Sequence, residues 1–193
     1  MSEAHEHAEQ AEHAAGSNKK IALLISILAL FLALSETLGK SAQTAAVTDN
    51  VQSNDLWAFF QAKTIRQTVL RTAAESLAFN TGSTDTKAAA SKKIDEWQKL
   101  IARYEDEPES NEGRKQLMAR ARELEHKRDI GLARYHNYEF ASAAFQIGIV
   151  LASASVITGM IALVWFSGGV GVVGLLFMTL GLFAPHIGLF GGH

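Results

Sequence analysis

Apolar runs and charge-dense stretches alternate along the chain with sharp boundaries. Residues 21–35, IALLISILALFLALS, carry no charge and follow Lys19-Lys20. From Lys40 to Glu139 acids and bases are dense and nearly balanced. From Ala141 to His193 there is no Asp, Glu, Lys or Arg. A helix needs about 20 apolar residues to cross a hydrocarbon core of ~30 Å, so this last stretch is long enough for two passes. Ser167-Gly168-Gly169, just after the interface-favouring pair Trp165-Phe166, is the natural place for a reversal. The pattern predicts spans over residues 143–166 and 170–190, with Pro185 bending or ending the last one. The N-terminal run predicts a span over residues 19–39, with Asn18 to Lys20 and Glu36 to Gly39 as snorkelling ends. A signal peptide is the rival reading, but Thr44-Ala45-Ala46 is a poor cleavage site and charges precede it. The expectation is an uncleaved anchor.

Residues 40–142 read as a helical domain outside the membrane. Leu56, Phe60, Leu70, Ala74 and Leu77 form a heptad stripe interrupted by Lys63 and Gln67, and Val51, Ala58 and Ile65 form a second stripe beside it. Two such faces predict packing in a bundle. Ser53-Asn54-Asp55 could cap a new helix start. The string NTGSTD, residues 80–85, is a turn by composition. A short helix follows, with Ala90, Ile94, Trp97, Ile101 and Tyr104 at three-to-four spacing. EDEPESNEG breaks it. From Arg114 no stop signal is visible before Phe166, which predicts one long helix. If the first and last helices of this domain run side by side at ~1.5 Å per residue, Trp57 should lie level with Leu124 and Ile65 with Leu117. A chain that leaves and re-enters one membrane face prefers an even number of helices. The short middle helix must therefore cross the bundle, or a long helix must fold back. The expected class is an all-α membrane protein: three transmembrane helices, with a helical, coiled-coil-like extramembrane domain between the first and second.

Bulk composition adds little: 193 residues, 20% charged and a net charge of −2 would suit an ordinary soluble domain, and only the distribution argues otherwise. The absence of cysteine excludes disulfides, thiolate metal sites and a cysteine nucleophile. Phosphate loops, nucleophile elbows and paired metal-binding helical histidines are missing. Bases interleaved with acids give no nucleic-acid stripe. No cofactor, metal, nucleic acid or small-molecule substrate is expected. Residues 1–18 form an acidic, alanine-rich tail in which His5, Glu9 and His13 would share a helix face, with His7 nearby. Such a tail lacks a scaffold to fix metal geometry, and a solvated tail is the favoured reading.

Glu36 has two readings. An ionisable group in a span marks a proton or ion path by default, but Glu36 stands at the span's end, four residues before Lys40, in the favourable order for a surface pair. The second reading is favoured. Small residues recur every seven positions, at Ser167, Gly174, Gly181 and Gly188 in the last span and at Ala141, Gly148, Ser155 and Ala162 in the one before. Such faces let helix backbones approach closely. The partner could be the neighbouring span or another subunit.

The string SNDLWAFFQAKTIR, residues 53–66, is distinctive. It resembles the signature of the domain-of-unknown-function 4337 family of small bacterial membrane proteins, S-D-Q-W-A-[FY]-[FY]-Q-A-K-S-I-[KR]. Trp57, Ala58, Phe59, Phe60, Gln61, Ala62, Lys63, Ile65 and Arg66 match; Asn54-Asp55-Leu56 departs slightly. The resemblance implies a bacterial, membrane-located protein and supplies no activity. Physically, Trp57, Phe60, Gln61, Thr64 and Ile65 share one helix face while Lys63 and Arg66 point elsewhere. That face is a buried aromatic seam, with Gln61 bonded inside it, or a docking surface in which Trp57, Phe59, Phe60, Gln61, Lys63 and Arg66 meet another protein.

The expected function is structural and non-enzymatic: a self-associating scaffold or an accessory subunit of a membrane complex. The alternative is a pore or ion-transport component using Glu36 and the glycine-rich hairpin. The expected place is the bacterial inner membrane. Lys19 and Lys20 argue for an inside N-terminus. Lys40, Lys127, Arg128 and Arg134 argue for a cytoplasmic middle domain, which is preferred.

Overall fold

A computed structural model describes residues 3–80 and 84–185, with side chains for 19–80 and 87–185. The chain is all-helical over these residues: α1 (Glu3–Phe79), α2 (Thr84–Glu105), α3 (Arg114–Thr158) and α4 (Ile161–Phe183). Windows within Lys19–Phe79, Arg114–Thr158 and Ile161–Phe183 are long and apolar enough to cross a membrane. The chain divides into two compact units. One holds the residues up to Ala46 and from Asp129 onward; the other is Val47–Arg128.

In the first unit α1 and α4 pack on α3, and the inner positions are small or polar. Ser35, Asn137, Ser155 and Ser167 are buried, together with Ala141, Ala144, Ala152 and Gly171, Gly174 and Gly181 of α4. Large apolar side chains such as Leu23, Leu30, Val150, Trp165 and Phe183 face outward. This reverses the usual arrangement of a water-soluble core. Ile21, Leu28, Tyr138 and Phe145 are the large exceptions, and Phe145 and Leu28 fill the centre with Phe31 stacked on Phe145 at 5.8 Å. The helices come close because glycine faces bulk: a Cβ on Gly174 would sit 2.8 Å from the Phe145 ring, and one on Gly181 would sit 3.1 Å from Tyr138. Hydroxyls tie the helices across the gaps. Ser35 Oγ donates to the Tyr138 carbonyl at 2.9 Å, and Ser167 Oγ donates to the Gly148 carbonyl at 2.7 Å.

The chain reverses between α3 and α4 at Gly159-Met160, not at Ser167-Gly168-Gly169. The spans expected at 143–166 and 170–190 are therefore displaced, to the second half of α3 and to α4. Gly159 adopts φ +73°, a left-handed conformation that favours glycine and ends the helix. Ser167 to Gly169 remain helical because Ser167 is held against Gly148 inside the bundle. Ala162 consequently belongs to α4 and is exposed, so the α3 small-residue face ends at Ser155.

The second unit resolves the parity problem by breaking the return path. α2 lies against the distal part of α1, where Gln67 Nε2 donates to the Ile101 carbonyl at 2.9 Å. α3 lies against the nearer part, where Ser53 Oγ donates to the Ala121 carbonyl at 3.3 Å. Both run antiparallel to α1, one after the other. Trp57 Nε1 donates to Glu125 through two long side chains, but the short contacts Ser53–Ala121 and Ala46–Gly131 set α3 at least one turn away from the expected Trp57–Leu124 and Ile65–Leu117 levels. α1 does not break at Ser53, whose buried side chain spans to α3 rather than capping. The second stripe expected inside, Val51, Ala58 and Ile65, is instead exposed. The inward face of α1 carries Ser53 together with Lys63 and Gln67, the two positions that interrupt the heptad stripe by type. The α2–α3 link turns at Asn111 (φ 56°) and closes at Gly113, where a Cβ would collide with the Glu107 backbone nitrogen.

Replacing Gly174 with Ala should destabilise the first unit by about 1–3 kcal/mol through overpacking against Phe145. Gly169→Ala, which meets nothing within 4 Å, should be neutral or slightly stabilising. Thermal unfolding of each variant in detergent checks both.

Candidate interaction site

The distinctive string lies on the stretch of α1 that α2 and α3 share. Trp57 packs edge-on against Phe60 with centroids 5.4 Å apart, and its indole N–H is anchored on Glu125 at 2.8 Å. One turn on, Lys63 is only 4% exposed. Its ammonium lies 5.0 Å from the Phe59 ring and 5.8 Å from the Tyr104 ring. It pairs with Glu107 at 3.4 Å and reaches Glu112 at 4.0 Å. A buried cation is costly unless paired, and here two acids and two aromatic faces surround it.

Four residues further, Gln67 is 1% exposed and bonded on both ends. Its amide donates to the Ile101 carbonyl and to Glu105 at 3.2 Å, while its oxygen accepts from Arg114 Nη1 at 2.7 Å. The same Nη1 meets Glu105 Oε2 at 2.7 Å, and the Arg114 guanidinium lies 4.7 Å from the Phe60 ring centre. Among the described residues the buried Arg114 Nε meets no hydrogen-bond partner. Three segments thus converge: α1 through Lys63 and Gln67, the end of α2 through Glu105, and the start of α3 through Arg114. The linker is pinned beside them. Asp106 accepts from Gln116 at 2.6 Å and from Lys115 at 3.1 Å. Arg103, chiefly by hydrogen bonding, holds the Glu107 carboxyl below its usual range. The Gln116 amide and Lys115 do the same for Asp106. Each charge is committed to a partner, which suits the arrangement to joining helices.

Of the residues singled out in the sequence, Trp57 and Phe60 do enter the seam, and Phe59 is half-buried beneath Lys63. Lys63 points inward, correcting the expectation that it points away; the i, i+4 spacing to Gln67 puts both on the side facing α2 and the linker. Gln61 is exposed, so the buried glutamine of the seam is Gln67. Ile65 and Arg66 are exposed. Glu105, Glu107 and Arg114 were missed. Their one signal was that two polar residues interrupted an apolar stripe and so required buried partners.

Elsewhere, Glu36 is exposed on the outside of the first unit, where the Gln146 amide donates to it at 3.4 Å. Gly148, Ser155, Gly174 and Gly181 are buried, and Gly148, Gly174 and Gly181 face Leu28, Phe145 and Tyr138 of the same chain. Gly188 and the side chains of His5, His7, Glu9 and His13 lie outside the described residues. Among the described residues no group of three or more His, Asp or Glu could hold a metal ion.

The chain belongs to the family described as Domain of unknown function (DUF4337), which it matches over residues 17–184. No curated protein and no solved structure matches it.

Gln67→Ala should cost roughly 1–3 kcal/mol, because it removes partners from a buried carbonyl and from Arg114. Chemical unfolding followed by Trp57 and Trp97 fluorescence measures it.

Acid should act on the same joint. Glu107 and Asp106 have lowered folded-state values, so their contribution is complete above the unfolded carboxylate range near ~4. It is lost as pH falls through the lowered values. Stability should stay flat from neutral pH to about 5 and decline below about 4, by a small amount because these pairs are solvent-screened. A pH series of the same unfolding curve checks the sign.

Proposed function

We propose that this chain is a three-span integral membrane protein of the bacterial inner membrane, with Val47–Arg128 as a helical head outside the bilayer. Its role is non-enzymatic: a self-associating scaffold or an accessory subunit. The observation that carries the placement is the inverted polarity of the first unit, with serines and glycines inside and Leu23, Leu30, Val150 and Trp165 outside. In lipid, association relies on close backbone packing and interhelical hydrogen bonds, and the Gly174–Phe145 and Ser167–Gly148 contacts are of that kind. From Lys20 to Lys40 α1 rises about 30 Å, one hydrocarbon thickness. Glu36 then ends the span near the headgroups, as its place before Lys40 suggests.

The interaction role is supported by how little the head buries. Its fully buried apolar side chains among the described residues are Ala90, Leu117 and Ala121. A unit of this size with so small a core gains from a partner. The pore reading has less to rest on: the first unit's centre is filled by Phe145 and Leu28, and Glu36 is outside it. The cytoplasmic placement of the head rests on Lys40, Lys127, Arg128 and Arg134 near the span ends.

The full chain should stay with membranes through alkaline carbonate extraction. Gentle extraction should release it at a native mass above the monomer, alone or with a foreign subunit. A monomer would count against the scaffold reading. A single Ser110→Cys should react with an impermeant thiol label only once the cytoplasmic side is opened.

A further inference from the structure

α1 carries a second seam that nothing among the described residues covers. In the head, Val51, Ala58, Ile65 and Thr72 recur every seven residues, and Ala62 and Val69 follow Ala58 and Ile65 by four. Val51, Ile65 and Val69 are 53%, 64% and 60% exposed. This ridge lies opposite Ser53, Phe60, Gln67 and Ala74, the side turned to α2 and α3. Because α2 and α3 follow each other along one side of α1, the head is two helices thick and cannot enclose the ridge. Asp55 is the one charge among these positions.

From this we infer that the ridge is the docking surface for α1 of a second copy of this chain, paired parallel and in register. The inference rests on the membrane placement and self-association proposed above. Several features select this occupant. A strict 3.5-residue period is useful only against another helix that supercoils with it. In the sequence the same register returns four heptads earlier at Leu23, Ile27, Leu30 and Leu34, which are exposed in the first unit taken by itself. A helix with that spacing both in an apolar span and in a polar head is what a second copy supplies. The face is nearly neutral, so it asks for no oppositely charged partner. Its area also fits. From Val47 to Thr72 the ridge is about 38 Å long and about 10 Å wide, or roughly 400 Å² per copy. A free-standing interface needs about 800 Å² per partner. Two copies held in one bilayer start from a raised effective concentration, so the smaller area suffices. In the parallel register Gln61 of one copy flanks Arg66 of the other, five residues on, which gives both exposed residues a hydrogen-bonding role.

The chain has no cysteine, so single cysteines read the pairing directly. Val51→Cys, Ala58→Cys and Ile65→Cys are placed in the full chain, with the exposed Gln98→Cys on α2 as control, in vesicles of phosphatidylethanolamine and phosphatidylglycerol. Mild oxidation should give homodimer at the three ridge positions roughly tenfold above the control, as an aligned pair requires. Asp55→Leu, which removes two facing carboxylates, should raise that yield. Equal yields at ridge and control, or no rise with Asp55→Leu, overturn the aligned pair. So does crosslinking to a different protein in native membranes. Native mass separates the two levels: an oligomer without ridge crosslinks sinks this docking surface alone, while a monomer sinks the self-association reading with it.

Discussion

The head is held by a joint made of polar side chains. Arg114, Gln67 and Glu105 meet where α2 ends and α3 begins, and all three are needed because the returning chain is in two pieces. A continuous helix would pack on α1 through apolar layers along its whole length. A broken one leaves carbonyls and side-chain charges at the break, and these must be satisfied in place. Lys63 and Gln67 on α1 do this, which explains polar residues at the most buried positions of a helical seam. The aromatic rings serve the same end. Phe59, Tyr104 and Phe60 lie over the cations and shield them from water without removing their partners.

The first unit solves a different problem with different residues. Its helices meet through glycine, serine and alanine, and the large side chains are turned outward. Phe145 against Gly174 and Tyr138 against Gly181 are paired large-to-none contacts, so each ring occupies the space a side chain would have taken. The serine hydroxyls bond to carbonyls on a neighbouring helix, which fixes helix positions where apolar surface alone would let them slide.

Much of this was legible in the sequence. The uncharged stretch from Ala141, the apolar run after Lys20 and the three-to-four spacings gave the helices, but equal rise from a common level placed α3 at least one turn away from where Ser53–Ala121 and Ala46–Gly131 hold it. The reversal point was misread because Ser167-Gly168-Gly169 is the stronger turn signal by composition, whereas Gly159 stands alone in an apolar run. Local composition does not report that Ser167 has a buried carbonyl to bond across the bundle. The inward face of the head was misread for a related reason. Sorting by hydrophobicity turned Lys63 outward and Val51, Ala58 and Ile65 inward, and only the position of α2 and α3 decides otherwise. Glu105, Glu107 and Arg114 are far from Lys63 in sequence, so their meeting could not be read from spacing.

The turn at Gly159-Met160 is only two residues long and, like everything after Phe140, lacks charge. Under the membrane placement proposed above, it would offer the insertion machinery no basic residue to retain on one side. Such a pair of helices would enter as a single folded hairpin whose direction is set by what precedes it, and Lys127, Arg128 and Arg134, on the approach along α3, would orient both spans at once.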